Sequence, residues 1–217
     1  MKLLVVGQPS EFAEFNEKFG NEHQITLSET LPSHELISAS DIIFDFSLDQ
    51  EPENFEVYAG MEGLNLFVNS PKISLAEMAY FQEEVKCNLF GFNGLPTFIN
   101  RSILEVSFLD NRPKLEELCE ALHTDYEIVE DRVGMVTPRV VCMIINEAFY
   151  TVQEGTASRE DIDQGMKLGT NYPYGPFEWV KRMGISHVYE VLEAIYEDTK
   201  EERYKICPLL KREYLLS

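Results

Sequence analysis

Short apolar runs alternate with amphipathic segments through about the first 130 residues of the chain. The runs have the length of buried strands, and we predict strands at residues 2–7, 23–29, 41–46, 64–69, 88–92, 102–108 and 126–129. Residues 11–19 and 114–122 show helical spacing instead, with Phe12, Phe15 and Phe19 on one side of the first segment. Strands that alternate with helices in this way predict a mostly parallel sheet with crossover helices.

The pattern becomes purely helical after about residue 131. Ser158, followed three residues later by Asp161, is typical of a capping box at a helix start. The predicted helices are residues 139–154 with a stop at Gly155, residues 158–169 ending at Gly169, a third helix from Pro176, and a fourth at residues 186–200. The chain therefore divides, by prediction, into an α/β domain at residues 1–132 and an all-helical domain at residues 133–217.

The charge of the chain is strongly negative, with a formal net charge of −20 over 217 residues. Residues 1–100 hold four lysines, no arginine and sixteen acidic residues, which gives that part a net charge of −12. Nucleic-acid partners are disfavoured, because binding by counterion release needs a basic surface. The same deficit leaves backbone amides at a helix N-terminus as the means of holding the phosphate of a ligand in this half.

Neither a metal site nor a membrane segment is indicated. The four cysteines are widely spaced and form no CxxC pair, so no zinc site or disulfide framework is expected. No apolar run approaches the roughly 20 residues that span a bilayer, and residues 1–6 do not have the pattern of a signal peptide. We therefore expect a cytoplasmic protein that acts without a membrane or a metal.

A degenerate dinucleotide-binding fingerprint follows the first predicted strand. A Rossmann loop needs glycine at three positions, and here those positions hold Gly7, Pro9 and Phe12. Proline lacks an N–H and adds a ring at the point where the pyrophosphate approaches, and Phe12 places a large side chain where the helix should pack closest to the sheet. Glu29, at the end of the second strand, has the position of the acid that binds the ribose hydroxyls, although such an acid is also a common turn residue.

The segment from Ser158 to Gly184 carries a specific family pattern. Its core, Tyr172-Pro-Tyr-Gly175-Pro-Phe177-Glu, resembles the Y-P-x-G-P-F-E motif of L-3-hydroxyacyl-CoA dehydrogenases. The resemblance implies a Rossmann-like sheet domain followed by an all-α C-terminal domain of the 6-phosphogluconate dehydrogenase type. It also implies NAD as cofactor, an acyl-CoA ligand and a homodimer formed through the helical domain. Tyr172, Gly175 and Phe177 then either line an acyl or pantetheine groove or pack the domain and its dimer.

The catalytic residues of that family are only partly matched. The family's base is a histidine oriented by a glutamate, and such a base is needed because hydride leaves a carbinol carbon as its O–H proton is removed. The matching stretch places Phe90 at the histidine and Glu105 at the glutamate, and it keeps Asn93. Of the family's substrate-holding serine segment, Asn69 and Ser70 remain.

Three hypotheses follow from these matches and mismatches. The first is a family member that has lost its chemistry and acts as a dimeric acyl-CoA-binding or partner-binding protein, with the altered glycine loop weighing against NAD binding. The second is an active NAD-dependent 3-hydroxyacyl-CoA dehydrogenase of fatty-acid metabolism that uses displaced catalytic residues. The third is acid/base chemistry on a thioester, carried by Glu105, Asn93 and Asn69 in the old cleft.

Overall fold

The computed structural model describes residues 1–217 and divides them into two units, Met1–Met135 and Val136–Ser217. The first unit contains seven strands: β1 (Lys2–Val6), β2 (Gln24–Ser28), β3 (Ile42–Asp45), β4 (Asn65–Asn69), β5 (Asn88–Phe92), β6 (Ile103–Phe108) and β7 (Asp125–Ile128). Its helices are α1 (Pro9–Phe19), α2 (His34–Ser38), α3 (Glu56–Ala59), α4 (Leu75–Tyr80) and α5 (Arg112–Ala121), with a 3₁₀ turn at Pro52–Phe55.

The strands form one sheet in the order β2-β1-β3-β4-β5-β6-β7. Every neighbouring pair is parallel except β5 and β6, which are antiparallel. The reversal follows from the connection between them, because residues 93–102 contain no crossover helix and a parallel return would need one. The predicted mostly parallel sheet is confirmed.

The central strands are buried on both faces, as their continuous apolar runs predict. One face packs against α1 and α5 and contains a row of phenylalanines in register, Phe44, Phe67 and Phe90. Their ring centroids are 4.8 Å and 5.1 Å apart along the row. The opposite face packs around Phe55, Tyr58 and the apolar side chains of α2 to α4. This two-sided core fixes the strand ends that carry the polar residues discussed below.

The second unit is entirely helical: α6 (Thr137–Gln153), α7 (Arg159–Thr170), α8 (Pro176–Met183), α9 (Ile185–Thr199), a 3₁₀ turn at Glu202–Tyr204 and α10 (Pro208–Tyr214). The C-terminal segment is fastened to α6 through Asn146, whose side chain accepts from the Cys207 N–H at 2.8 Å and donates to the Lys205 carbonyl at 2.9 Å. The predicted all-helical domain is thus confirmed. No helix of the structure is long and apolar enough to cross a membrane.

Two details of the helices differ from the prediction. Helix α7 starts at the predicted cap, where the Ser158 hydroxyl accepts from the Asp161 N–H, but it passes through Gly169 and ends at Thr170, with Asn171 as its C-cap. Asn171 supplies the left-handed turn, with φ of 57°, so the freedom of Gly169 is not used there. The short helices α4 and α10 were not predicted, because fewer than two full turns leave little periodicity to detect.

Candidate functional site

Polar side chains collect where the parallel strands end. Gly7, Asp45, Asn69 and Asn93 stand at or directly after the carboxyl ends of β1, β3, β4 and β5. Crevices at this edge of an open α/β sheet are the usual ligand sites of such folds. The edge is therefore the candidate site of the sheet unit.

The glycine loop at this edge is occupied by a side chain of the chain itself. The Gln8 N–H donates to the Glu11 carboxylate at 2.7 Å, which caps the N-terminus of α1. A Cβ built on Gly7 would overlap that carboxylate, so Glu11 lies directly against the glycine. Burial raises the pKa of Glu11, and the nearby negative charges of Asp49 and Asp45 raise it further.

The residues of this loop do not fit the pyrophosphate of a dinucleotide. A pyrophosphate needs free N–H groups and positive potential at the helix start. Here the Gln8 N–H already donates to the Glu11 carboxylate, and Pro9 has no N–H. Phe12 is half-buried against the core, where the fingerprint needs a glycine so that the helix can pack closely on the sheet. Glu29 is exposed directly after β2, beside the strand end where the Gly7 N–H donates to the Ser28 carbonyl at 3.0 Å.

A buried polar network lies beside the loop. The Lys72 ammonium and the Asp49 carboxylate form an ion pair at 3.2 Å, with side chains only 7% and 1% exposed. The Asn69 amide donates to the same carboxylate at 3.3 Å and accepts from the Gly94 N–H at 2.9 Å. Asp45 accepts from the Tyr58 hydroxyl at 2.9 Å, and burial raises the pKa of Asp45. Asn69 is therefore tied to the loop after β5 by its own hydrogen bonds.

A second polar group lies where β4, β5 and β6 meet. The Asn93 amide donates to the Glu105 carboxylate at 3.3 Å, so Glu105 has a side-chain partner at this edge. A Cβ on Gly91 would overlap the hydroxyls of Ser70 and Ser107, which places both hydroxyls over the Gly91 backbone. The structure thus brings together the predicted residues Ser70, Asn93 and Glu105.

Ser107 belongs to this group and was missed by the sequence analysis. Its side chain is 1% exposed, and its hydroxyl has no hydrogen-bond partner. Ser107 stands two residues after Glu105 on β6, and side chains two apart on a strand point to the same face. That alternation was the signal that could have identified it.

Phe90 gives the site no proton acceptor. The residue is fully buried, and its ring packs beside Phe67 in the core on the α1 and α5 side of the sheet. Glycine and asparagine, at positions 91 and 93, face the opposite side by strand alternation. The position matched to the family's histidine is therefore a core position in this chain.

The predicted residues of the helical unit have packing partners inside that unit. Gly175 lies against Asp163, where a Cβ would overlap the carboxylate, and the same carboxylate accepts from the Phe177 N–H at 2.8 Å. The Gly175 N–H donates to Glu178 at 3.0 Å, and Phe177 is buried against Phe149. Tyr172 is half-buried. The motif thus builds the start of α8, and its role in ligand binding remains a prediction.

The raised pKa of Glu11 gives a pH-dependent stability that can be measured. Since the folded state holds the Glu11 proton more tightly than the unfolded chain, this group stabilises the fold increasingly as the pH falls from 7 towards 5. Glu11→Gln keeps an acceptor for the Gln8 N–H but cannot titrate. We expect urea unfolding at pH 5 and pH 7 to show a smaller gain in stability on acidification for Glu11→Gln than for the wild type.

The charge-matched control for that experiment is Glu29→Gln, because Glu29 is exposed at the same edge. An acid-dependent gain that is equal in Glu11→Gln and the wild type would contradict the placement of the Glu11 carboxylate in a half-buried position.

No group of three or more His, Cys, Asp or Glu side chains is arranged to hold a metal ion. The four cysteines are buried free thiols, and burial raises the pKa of the Cys87 thiol to about 11.

Comparison with known proteins finds the strongest sequence similarity in the helical part of the chain. Residues 134–215 match the family model for the 3-hydroxyacyl-CoA dehydrogenase C-terminal domain. A 3-hydroxyadipyl-CoA dehydrogenase of Escherichia coli K12 is 46% identical over 88 residues, which are 41% of this chain and 18% of that protein. The human mitochondrial hydroxyacyl-coenzyme A dehydrogenase is 25% identical over 147 residues, 66% of this chain and 47% of that protein. The matches therefore span less than half the length of these relatives.

The whole chain is similar in fold to solved structures of the same kind. The crystal structure of an (S)-3-hydroxybutyryl-CoA dehydrogenase from Ralstonia eutropha superposes with a TM-score of 0.75 at 20% identity and covers 99% of this chain and 93% of that one. At this identity the likeness concerns the fold, with the sheet unit included.

Proposed function

The chain belongs to the 3-hydroxyacyl-CoA dehydrogenase family, and from that premise we propose that it binds an acyl-CoA or a similar small thioester as a homodimer without transferring hydride. The family is NAD-dependent. Under this proposal the chain differs from its relatives because it does not bind NAD. We also propose that it acts in the cytoplasm. Its net charge of −20 favours small-molecule and protein partners over nucleic acid.

The observation that carries the proposal is the Glu11 carboxylate against Gly7. A dinucleotide would have to bring two phosphate charges onto a helix start that already holds a carboxylate, with Asp45 and the Asp49–Lys72 ion pair nearby. Like charges at contact distance in a partly buried site are strongly unfavourable. Phe90 supports the same conclusion, because a core phenyl ring cannot accept the proton of a carbinol hydroxyl.

The proposed ligand class rests on the family and on the polar group at β4 to β6. The relatives named above act on CoA thioesters, as their names state. The Asn93 amide and the Ser107 hydroxyl are hydrogen-bond donors of the kind that orient a thioester carbonyl. The Ser70 hydroxyl, which donates to the Met135 sulfur at 3.7 Å, lies beside them. Glu105 and Asn69 complete the group of residues that we assign to the ligand side of this edge.

An active dehydrogenase is the second candidate, and sequence similarity favours it, since the E. coli relative is 46% identical over the helical domain. It requires NAD to bind despite Glu11 and Pro9, and it requires a base other than residue 90. The two candidates differ in one observable property: the dehydrogenase consumes NADH in the presence of a 3-ketoacyl-CoA, and the binding protein does not.

Ligand binding can be tested with acetoacetyl-CoA as the probe. We expect about 1 mM acetoacetyl-CoA to raise the melting temperature of the wild type by a few degrees without consuming NADH. Asn93→Ala should lose most of that shift, because it removes the amide donor that we assign to the ligand. Asn21→Ala, at an exposed position, is the matched control and should keep the shift.

The result is informative in each direction. A shift that is equal in the wild type and Asn93→Ala would contradict the assigned ligand site. NADH oxidation by the wild type would replace the proposal by the dehydrogenase candidate.

The homodimer is proposed to form through α6. Val140 is 50% exposed on this helix, and a groove of about 400 Å³ runs along Val140, Met143 and Ile144 between Arg139 and Glu147. The two charged residues are eight positions apart, or about 12 Å along the helix. An antiparallel, two-fold pairing of α6 with a second copy would place Arg139 of each copy beside Glu147 of the other, on both sides of an apolar centre.

Charge exchange tests this arrangement. Glu147→Arg should weaken self-association by about tenfold, because it places two arginines together, and Arg139→Glu combined with Glu147→Arg should restore it. Sedimentation velocity over a concentration series measures the change. Glu154→Arg, an exposed control just beyond the helix, should have no effect. A wild-type monomer at all concentrations, or equal dimers in all four proteins, would refute the proposed interface.

A further inference from the structure

The last strand of the sheet has an open edge. Strand β7 is terminal in the sheet and pairs only with β6. The Val129 N–H donates to the Val106 carbonyl at 2.8 Å. Val129, Glu127 and Asp125 therefore direct their backbone N–H and C=O groups towards β6. Backbone groups alternate in direction along a strand. Tyr126 and Ile128 therefore direct their N–H and C=O groups outwards, where a further strand could bind them.

A groove follows this edge from one end of β7 to the other. Two concave regions of about 540 and 530 Å³ share Tyr126 and Glu127, and together they extend from Thr124 to Glu130 beside α5. Tyr126 and Ile128 are half-buried against the core on the α5 side and keep part of their surface open. Asp125 and Glu127 are exposed on the other side of the strand. The edge thus offers an apolar face and an acidic face.

The unpaired charges along the edge are all negative. Arg112 is paired with Glu116 at 2.9 Å, and His123 is paired with Glu22 at 2.5 Å. The remaining charged side chains that line the groove are all acidic: Glu120, Asp125, Glu127 and Glu130. A second copy of β7 on this edge would place acid opposite acid, which destabilises a strand pair. A basic strand would be attracted.

We propose that the β7 edge binds an extended segment of a partner protein in which basic and apolar residues alternate, added to the sheet as an eighth strand. The outward groups of Tyr126 and Ile128 supply the backbone hydrogen bonds, as in other cases of strand addition. The basic side chains of the segment lie against Asp125 and Glu127, and its apolar side chains lie against Tyr126 and Ile128. The acidic residues also protect the edge from pairing with itself.

The test uses a fluorescein-labelled decapeptide of alternating lysine and valine, with fluorescence anisotropy at about 50 mM salt. The wild type should bind it, and Asp125→Lys with Glu127→Lys should weaken binding by about tenfold or more. Glu53→Lys with Glu62→Lys makes the same charge change at exposed positions elsewhere in the unit and should bind like the wild type apart from a small non-specific loss. Hydrogen exchange of the Tyr126 and Ile128 amides should slow on binding.

A peptide of the same sequence with every backbone nitrogen methylated separates strand addition from charge attraction, because it can donate no backbone hydrogen bond in either strand direction. Binding of this peptide equal to that of the unmodified one would overturn the proposal. So would equal losses in the two double variants, or unchanged exchange of the two amides. A concentration-dependent dimer that Asp125→Lys with Glu127→Lys abolishes would show that a second copy occupies the edge, and it too would overturn the proposal.

Discussion

Gly175→Ala should lower the free energy of unfolding of the helical domain by about 2–3 kcal/mol. Gly175 has an ordinary extended backbone, with φ of −73° and ψ of 162°, so the cost is not one of backbone strain. It arises because the new methyl group would overlap the Asp163 carboxylate, which cannot move away without losing its hydrogen bond to the Phe177 N–H at 2.8 Å. Circular dichroism with urea as denaturant measures the effect.

Two other glycines of the same domain provide the matched control. Gly165 and Gly169 lie within α7, and a Cβ on either would meet no atom within 4 Å. Alanine at these positions should stabilise the domain by about 0.5–1 kcal/mol, because alanine favours the helix over glycine. If Gly175→Ala is as stable as Gly169→Ala, the packing of the family motif against Asp163 is not what holds α8 in place.

Phe90→His tests whether the chain can regain the missing base by one substitution. We expect the free energy of unfolding to fall by about 3 kcal/mol, because the imidazole replaces a phenyl ring in a dry core and leaves buried nitrogen atoms without partners. The variant should also show no NAD-dependent oxidation of a 3-hydroxyacyl-CoA, since residue 90 lies in the middle of β5 and packs in the core beside Phe67, not at the strand ends.

Phe90→Leu is the control for that substitution, because it removes ring contacts without burying a polar atom. Phe90→Leu should lower the free energy of unfolding by less than Phe90→His does. A stable Phe90→His protein with measurable dehydrogenase activity would show that residue 90 reaches the ligand, and would favour the dehydrogenase candidate for the wild type.

The fold could largely be predicted from the sequence because its elements are strongly periodic. The runs at residues 41–46 and 88–92 are apolar on both faces, and this is the pattern of the central strands β3 and β5 in a parallel sheet. A broad apolar face at helical spacing predicts helix α6. The antiparallel direction of β6 was not predicted, because hydrophobic pattern carries no direction and only the lack of a crossover helix between residues 93 and 102 distinguishes the two cases.

The site could be predicted less well, because the positions of its side chains depend on contacts between residues that are far apart in the sequence. Gly7, Asn69 and Asn93 were found from motif positions at strand ends. Glu11 was missed, although it decides the chemistry of the glycine loop, because a glutamate in the first turn of a helix is an ordinary helix cap. Only the folded backbone shows that its carboxylate lies against Gly7.

The most direct test of the proposed function is a titration of the wild-type protein with NADH, followed by nicotinamide fluorescence, beside the variant Glu11→Ala with Pro9→Gly. The proposal predicts no saturable binding by the wild type up to about millimolar NADH, and weak binding by the double variant. The double variant frees the Gln8 N–H, adds an N–H at position 9 and removes one negative charge at the start of α1. Saturable binding of NADH by the wild type would contradict the proposal, because the loop at Gly7 would then accept a pyrophosphate with Glu11 in place.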